Sequence, residues 1–135
     1  YAALAALSSA KIKLAQGDSL AARTHIQWVL NKADSNELKQ IAHIRLSRIM
    51  LGDGDHQKAL ALLGQADSGS FVASFENLRG DIYLAMDQHE KAESAYNLAL
   101  NAAGPGSGNQ DLLRMKLDDL GGGDIMSDGN VVIVK

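Results

Sequence analysis

Three breaks recur along the chain at near-equal intervals, and they limit what it can fold into. Gly17-Asp18, Gly54-Asp55 and Asp87-Gln88 each interrupt a run of apolar residues at helical spacing, and they lie 37 and 33 residues apart. A tight turn between two helices needs a residue that accepts the left-handed region, and glycine or aspartate does so. Before the first break Leu4, Leu7, Ala10 and Leu14 follow the helical period; after it Ala22, Ile26, Val29 and Ala33 do. The recurring unit is therefore helix–turn–helix. Such a unit cannot bury its apolar face alone and needs neighbours stacked on it.

The remaining segments follow the same logic. Asp34-Ser35-Asn36-Glu37 has the Asp-to-Glu spacing of a capping box and predicts a third helix reaching about Leu51. Ala42, Leu46, Ile49 and Met50 share one face of it, while Ile41, Ile44 and Leu51 share another. A helix apolar on two sides is buried on both or lines a groove. Ala59, Leu60, Leu63 and Ala66 predict a short fourth helix, and Phe71, Phe75, Leu78, Ile82 and Ala85 a fifth. Ala92, Ala95, Tyr96, Ala99 and Ala103 form the sixth. After the Gly104–Gly108 linker, Asn109 is placed to cap a seventh helix carrying Leu113, Leu117 and Leu120. Gly121-Gly122-Gly123 is expected to end it. The last residues, with Val131-Val132-Ile133-Val134, read as a hairpin or single strand.

Composition supports helices. Of 62 hydrophobic residues 39 are Ala or Leu, against five Val and six aromatics, and proline occurs once, at Pro105. The 135 residues amount to one domain's worth, and the absence of cysteine excludes disulfides, thiol nucleophiles and thiolate metal sites. A net charge of −3 argues against a general nucleic-acid binder. Residues 1–50 carry +4 and residues 51–135 carry −7. No apolar stretch approaches the ~18 residues of a membrane span. The chain starts at Tyr1 without a Met and already in helical pattern, so a fragment or processed product is expected, with room for a targeting or anchoring segment in the missing N-terminus.

The 37- and 33-residue spacings resemble the ~34-residue period of tetratricopeptide repeats. In that register Ala10, Ser47 and Gly80 are the small residues that let paired helices nest. Ile26, Leu63 and Tyr96 are the large ones that fill the wedge toward the next pair. The expected fold is all-α: a tetratricopeptide-repeat-like solenoid of about three helix–turn–helix pairs plus a C-terminal capping helix over residues 1–120. A Gly-rich, strand-forming or flexible tail follows at 121–135.

Several segments are more specific. Tyr1–Leu7, Leu38–Arg48, Leu78–Ala85 and Leu113–Leu120 resemble the YfgM family, the ancillary subunit of the bacterial SecYEG translocon. That resemblance implies a short cytoplasmic N-terminus, one membrane helix and a periplasmic repeat domain, of which this chain is the last. It implies a scaffold on the periplasmic face of the inner membrane, linking translocon subunits, a PpiD-like chaperone and client segments. The tail after Leu120 has no placed counterpart in that family.

No motif marks an enzyme. His25, His43, His56 and His89 lack ligand spacing and are expected to be solvated or capping. Asp53-Gly54-Asp55 has Gly64 where a calcium loop places a bidentate Glu, so it reads as a turn. Neither cofactor nor metal is expected, and there is no catalytic residue to name. What remains is a protein-binding groove, which in tetratricopeptide repeats is lined by the first helix of each pair. By register these residues are Leu7, Lys11, Ile41, Ile44, Arg48, Ser74, Asn77 and Asp81. Ile41 and Ile44 are either its apolar anchors or simply core, and Arg48 and Lys11 are placed to hold a carboxylate. Trp28 is expected to be a packing residue. Two other readings are a repeat adaptor of another envelope complex, and a self-assembly module (a homo-oligomer) using Val131, Val132, Ile133 and Val134 as a tail contact.

Overall fold

The computed structural model describes the backbone of residues 1–106 and 108–134 and the side chains of 1–106 and 108–121. Among the described residues there are seven α-helices and no strand: α1 Ala2–Ala15, α2 Ser19–Lys32, α3 Asn36–Gly52, α4 His56–Gly64, α5 Val72–Ala85, α6 His89–Ala102 and α7 Gly108–Val134. A short 3-10 turn, Gly69–Phe71, precedes α5. The chain forms two compact units, Tyr1–Phe71 and Val72–Lys135. This division falls inside the expected 1–120 domain, and the boundary expected at Leu120 lies inside α7.

The three breaks become three copies of one turn. Gly17, Gly54 and Asp87 have φ of 81°, 87° and 63°, and Asp87 is the non-glycine residue with positive φ among those described. In each turn the next amide reaches back to the carbonyl five residues earlier: Asp18 to Lys13 at 2.8 Å, Asp55 to Met50 at 2.8 Å and Gln88 to Tyr83 at 2.9 Å. This Schellman closure satisfies carbonyls that the helix end leaves free.

The nesting pairs are also in place. Each small residue is followed sixteen positions later by its large partner: Ala10 and Ile26, Ser47 and Leu63, Gly80 and Tyr96. All six are buried. At the third pair the approach leaves no room for a side chain, because a Cβ on Gly80 would lie 2.5 Å from Tyr96 Cδ1. In the first unit Leu7, Ala10, Ala22, Ile26, Val29, Ala42, Leu46 and Ile49 form one core across α1, α2 and α3. In the second, Ala92, Tyr96 and Ala99 of α6 enclose Leu113 of α7, with Leu117 and Leu120 packed alongside.

Three local expectations are corrected. Ser35, not Asp34, caps α3: its hydroxyl accepts from the Leu38 amide at 3.3 Å, three residues on, while Asp34 lies one position too far out. The fifth helix starts at Val72, one residue after the expected Phe71, because the 3-10 turn at the expected break Ser68-Gly69-Ser70 takes up Phe71. The strand expected after Leu120 is helical backbone, and the three glycines do not stop α7. Glycine lowers helix propensity by only about 1 kcal/mol per residue, and an existing helix extends more easily than a new element nucleates. A lone hairpin would also lack the third strand that such ribbons need for stability.

A candidate protein-binding groove

In the first unit α1 and α3 both pack on α2, and a cavity of about 520 Å³ opens between them. Leu7, Ala10 and Leu14 of α1, Ile26 of α2 and Ile49 of α3 give it an apolar floor. Lys11, Arg45 and Arg48 bring three cations to its lining, and Asp53 adds one carboxylate. That carboxylate is already engaged. Its Oδ2 accepts from Ser19 Oγ at 2.6 Å and lies 3.3 Å from Arg23 Nη1, which also reaches Asp55 at 3.0 Å. The Asp53-Gly54-Asp55 segment is thus a turn tied to the start of α2, and the cavity keeps a net positive lining.

Of the residues expected to line a groove, Leu7, Lys11 and Arg48 line this cavity together. Ile41 is half-buried against the first core, and Ile44 is buried at 8% exposure. Ser74, Asn77 and Asp81 belong to α5, in the other unit, where Ser74 is half-buried. Asn77 and Asp81 are occupied from within: Lys116 Nζ of α7 donates to Asn77 Oδ1 at 2.8 Å and to Asp81 Oδ1 at 3.0 Å. Tyr96 Oη donates to the same Asp81 Oδ1 at 2.5 Å, and the Lys116 ammonium stands 5.5 Å from the Tyr96 ring centre. Burial, and then the adjacent Asp81 carboxylate that accepts its hydrogen bond, push the Tyr96 hydroxyl well above the usual phenol range. The side chains of Val131, Val132, Ile133 and Val134 lie outside the described residues.

Sequence reading missed Arg45, Leu14, Ile26 and Ile49 as lining. Arg45 lies one turn before Arg48, so the same periodicity that selected Arg48 would have found it. Trp28 departs from its expected packing role: it is 41% exposed, beside Arg23, Gln27, Asn31, Leu46 and Met50. His43 Nδ1 is hydrogen-bonded to the Lys39 carbonyl oxygen at 2.8 Å, and His89 Nε2 to the Asp87 carboxylate at 3.0 Å. Among the described residues no group of three or more His, Cys, Asp or Glu is placed to hold a metal ion, and no helix is long and apolar enough to cross a membrane.

Nested helix pairs joined by a repeated turn, with a cleft between successive first helices, define a helical-repeat interaction domain. The sequence matches the model of the tetratricopeptide repeat-like domain family over residues 1–122, and the chain belongs to that family. Its curated relatives share one name, ancillary SecYEG translocon subunit, and they bear out the YfgM-family resemblance. The protein from Neisseria gonorrhoeae is 30% identical over 99 residues, covering 73% of this chain and 47% of the relative. The one from Haemophilus influenzae is 29% identical over 120 residues, covering 89% and 58%. A third, from Aggregatibacter actinomycetemcomitans, is 28% identical over 120 residues. The chain thus spans about half the length of the curated relatives it matches. No solved structure matches it with significance.

Proposed function

We propose that this chain is a non-catalytic protein-interaction scaffold that receives polypeptide segments in the cleft between α1 and α3. The observation that carries this reading is the cleft itself: about 520 Å³, apolar at its floor and cationic at its lining. Its volume falls within the ~300–1,000 Å³ common for binding pockets, and tetratricopeptide-like domains act by holding other proteins. The relatives' shared name supports a place beside the SecYEG translocon, and the YfgM-family resemblance of the sequence supports the periplasmic face of the inner membrane. There the domain links translocon subunits and a PpiD-like chaperone to emerging client segments, in a full-length protein anchored by a segment beyond this chain. Asn77 and Asp81 serve the internal contact to Lys116 in this reading, leaving Leu7, Lys11 and Arg48 as the predicted residues that meet a partner.

Photocrosslinkers placed at Leu14 and Arg48 in the full-length protein, in its membrane, test this. Adducts to translocon or chaperone polypeptides from these positions, and not from exposed Glu93 on α6, are the expected result. Equal adducts from all three positions, or none from the cleft, would overturn it.

A further inference from the structure

The first and third helix pairs match position for position seventy residues apart, and a difference in charge between them bears on what the cleft takes. Ala10, Gly17, Ile26 and Ala33 correspond to Gly80, Asp87, Tyr96 and Ala103. The helix after each pair corresponds too, at an offset of seventy-one. Ala42, Leu46 and Ile49 of α3 pack into the core with α2, as Leu113, Leu117 and Leu120 of α7 do with α6. Both triplets advance by four residues and then three.

In the Val72–Lys135 unit the seam between the first helix and the following helix is closed by an ion pair. Lys116 of α7 bridges Asp81 and Asn77 of α5. The matching residues in the first unit are Arg45 for Lys116, Lys11 for Asp81 and Leu7 for Asn77. Cation therefore meets cation where the other unit sets cation against carboxylate. No bridge forms across the first seam. Instead Lys11, Arg45 and Leu7 line the open cleft, joined by Arg48. Asp53 does not supply the missing charge, because Arg23 and Ser19 hold it.

We infer that a partner protein completes this seam with a carboxylate, presented by an amphipathic helical segment. Its Asp or Glu stands between Lys11 and Arg45, doing from outside what Asp81 does for Lys116 from inside. Its apolar neighbours cover Leu7, Leu14, Ile26 and Ile49. The inference rests on the reading of the cleft as a protein-binding groove and adds the chemistry it selects. A neutral or basic segment would cover the three cations without pairing them, which penalises the wrong partner as well as rewarding the right one. A second copy of this chain offering α7 is such a wrong partner, since that helix carries Lys116 at the position that needs the acid.

The probe is a labelled peptide of residues 108–121 carrying Lys116→Glu, which keeps the Leu113, Leu117 and Leu120 stripe. The unsubstituted peptide is the control. Each is titrated into the whole chain and followed by fluorescence anisotropy. The expected result is at least tenfold tighter binding of the Lys116→Glu peptide, with the preference inverted when the protein carries Arg45→Glu. Lys11→Asp gives Arg45 an internal partner and is expected to abolish binding while raising the Tm. Circular dichroism checks that both variants are folded; both substituted residues are exposed. Equal binding of the two peptides, or a preference that Arg45→Glu leaves unchanged, would overturn the inference. So would Arg45-dependent binding to anionic lipid vesicles in place of peptide, or self-association that Arg45→Glu abolishes. Cleft crosslinks to protein partners alongside equal peptide binding would remove the acidic chemistry and leave the groove. Selective peptide binding without crosslinks would remove the groove's role at the translocon and leave the chemistry.

Discussion

Gly80→Ala is the sharpest test of how these helices pair. Alanine in a helix interior is favoured over glycine by about 1 kcal/mol, so on propensity alone the change stabilises α5. The geometry opposes this. The added Cβ would lie 2.5 Å from Tyr96 Cδ1 and 2.9 Å from Cζ, well inside van der Waals contact. The ring has little room to yield: it is fully buried, and its hydroxyl is fixed on Asp81 at 2.5 Å. Overpacking of this kind costs about 1–3 kcal/mol. With the propensity gain deducted, Gly80→Ala should destabilise by up to about 2 kcal/mol, lowering the Tm by up to about 8 °C. Urea and thermal unfolding followed by far-ultraviolet circular dichroism would measure this. The second arm uses the chain's own precedent, since Ala10 faces Ile26 at the same register. In a Tyr96→Ile background the clash is gone, and adding Gly80→Ala should stabilise by about 1 kcal/mol. The sign of one substitution thus depends on the residue sixteen positions on. If Gly80→Ala stabilises the otherwise unchanged chain, the claim that close approach to Tyr96 demands glycine is wrong.

Three further expectations follow from the same contacts. Asp87→Gly should raise stability by about 1 kcal/mol, because Asp87 holds φ 63° where the other two turns use glycine; a loss in urea midpoint would show that its bond to His89 matters more. Tyr96 has its folded-state pKa raised, chiefly by burial and then by Asp81, so the folded chain keeps a proton that the unfolded chain loses above about pH 10. The stabilisation is therefore complete below that pH and declines as pH rises above it. Tyr96→Phe should flatten the alkaline limb, and an equally steep limb in the variant would assign it to other groups. Ile44→Asp places a carboxylate where the side chain is 8% exposed and should cost at least 3 kcal/mol in a denaturant titration; unchanged stability would restore Ile44 as a groove anchor.

The turns were legible because each is decided by one residue. Gly17, Gly54 and Asp87 stand out in a helical sequence, and all three take the left-handed conformation. The nesting pairs were legible for a similar reason: small and large residues alternate at a fixed interval. The groove was readable only in part, since register places a residue on a face without stating whether another helix covers that face. Asn77 and Asp81 fit the register as well as Leu7 and Lys11, yet Lys116 engages the first two and an open cavity borders the second two. That difference lies thirty-five or more residues away along the chain, where single-sequence periodicity cannot reach it. The end of α7 was misread because glycine and valine propensities were weighed without asking what a strand there would pair with.

The offset between α3 and α7 also bears on growth. Ala10, Ser47 and Gly80 are the small, buried residues at matching positions of the first helix of each pair. The residue of α7 at that register is Asp118, charged and exposed. A helix brought down on it would have to desolvate a carboxylate for which no partner is provided. Asp118 therefore weighs against a further helix on this face of α7, which sits on α6 where a new pair would begin.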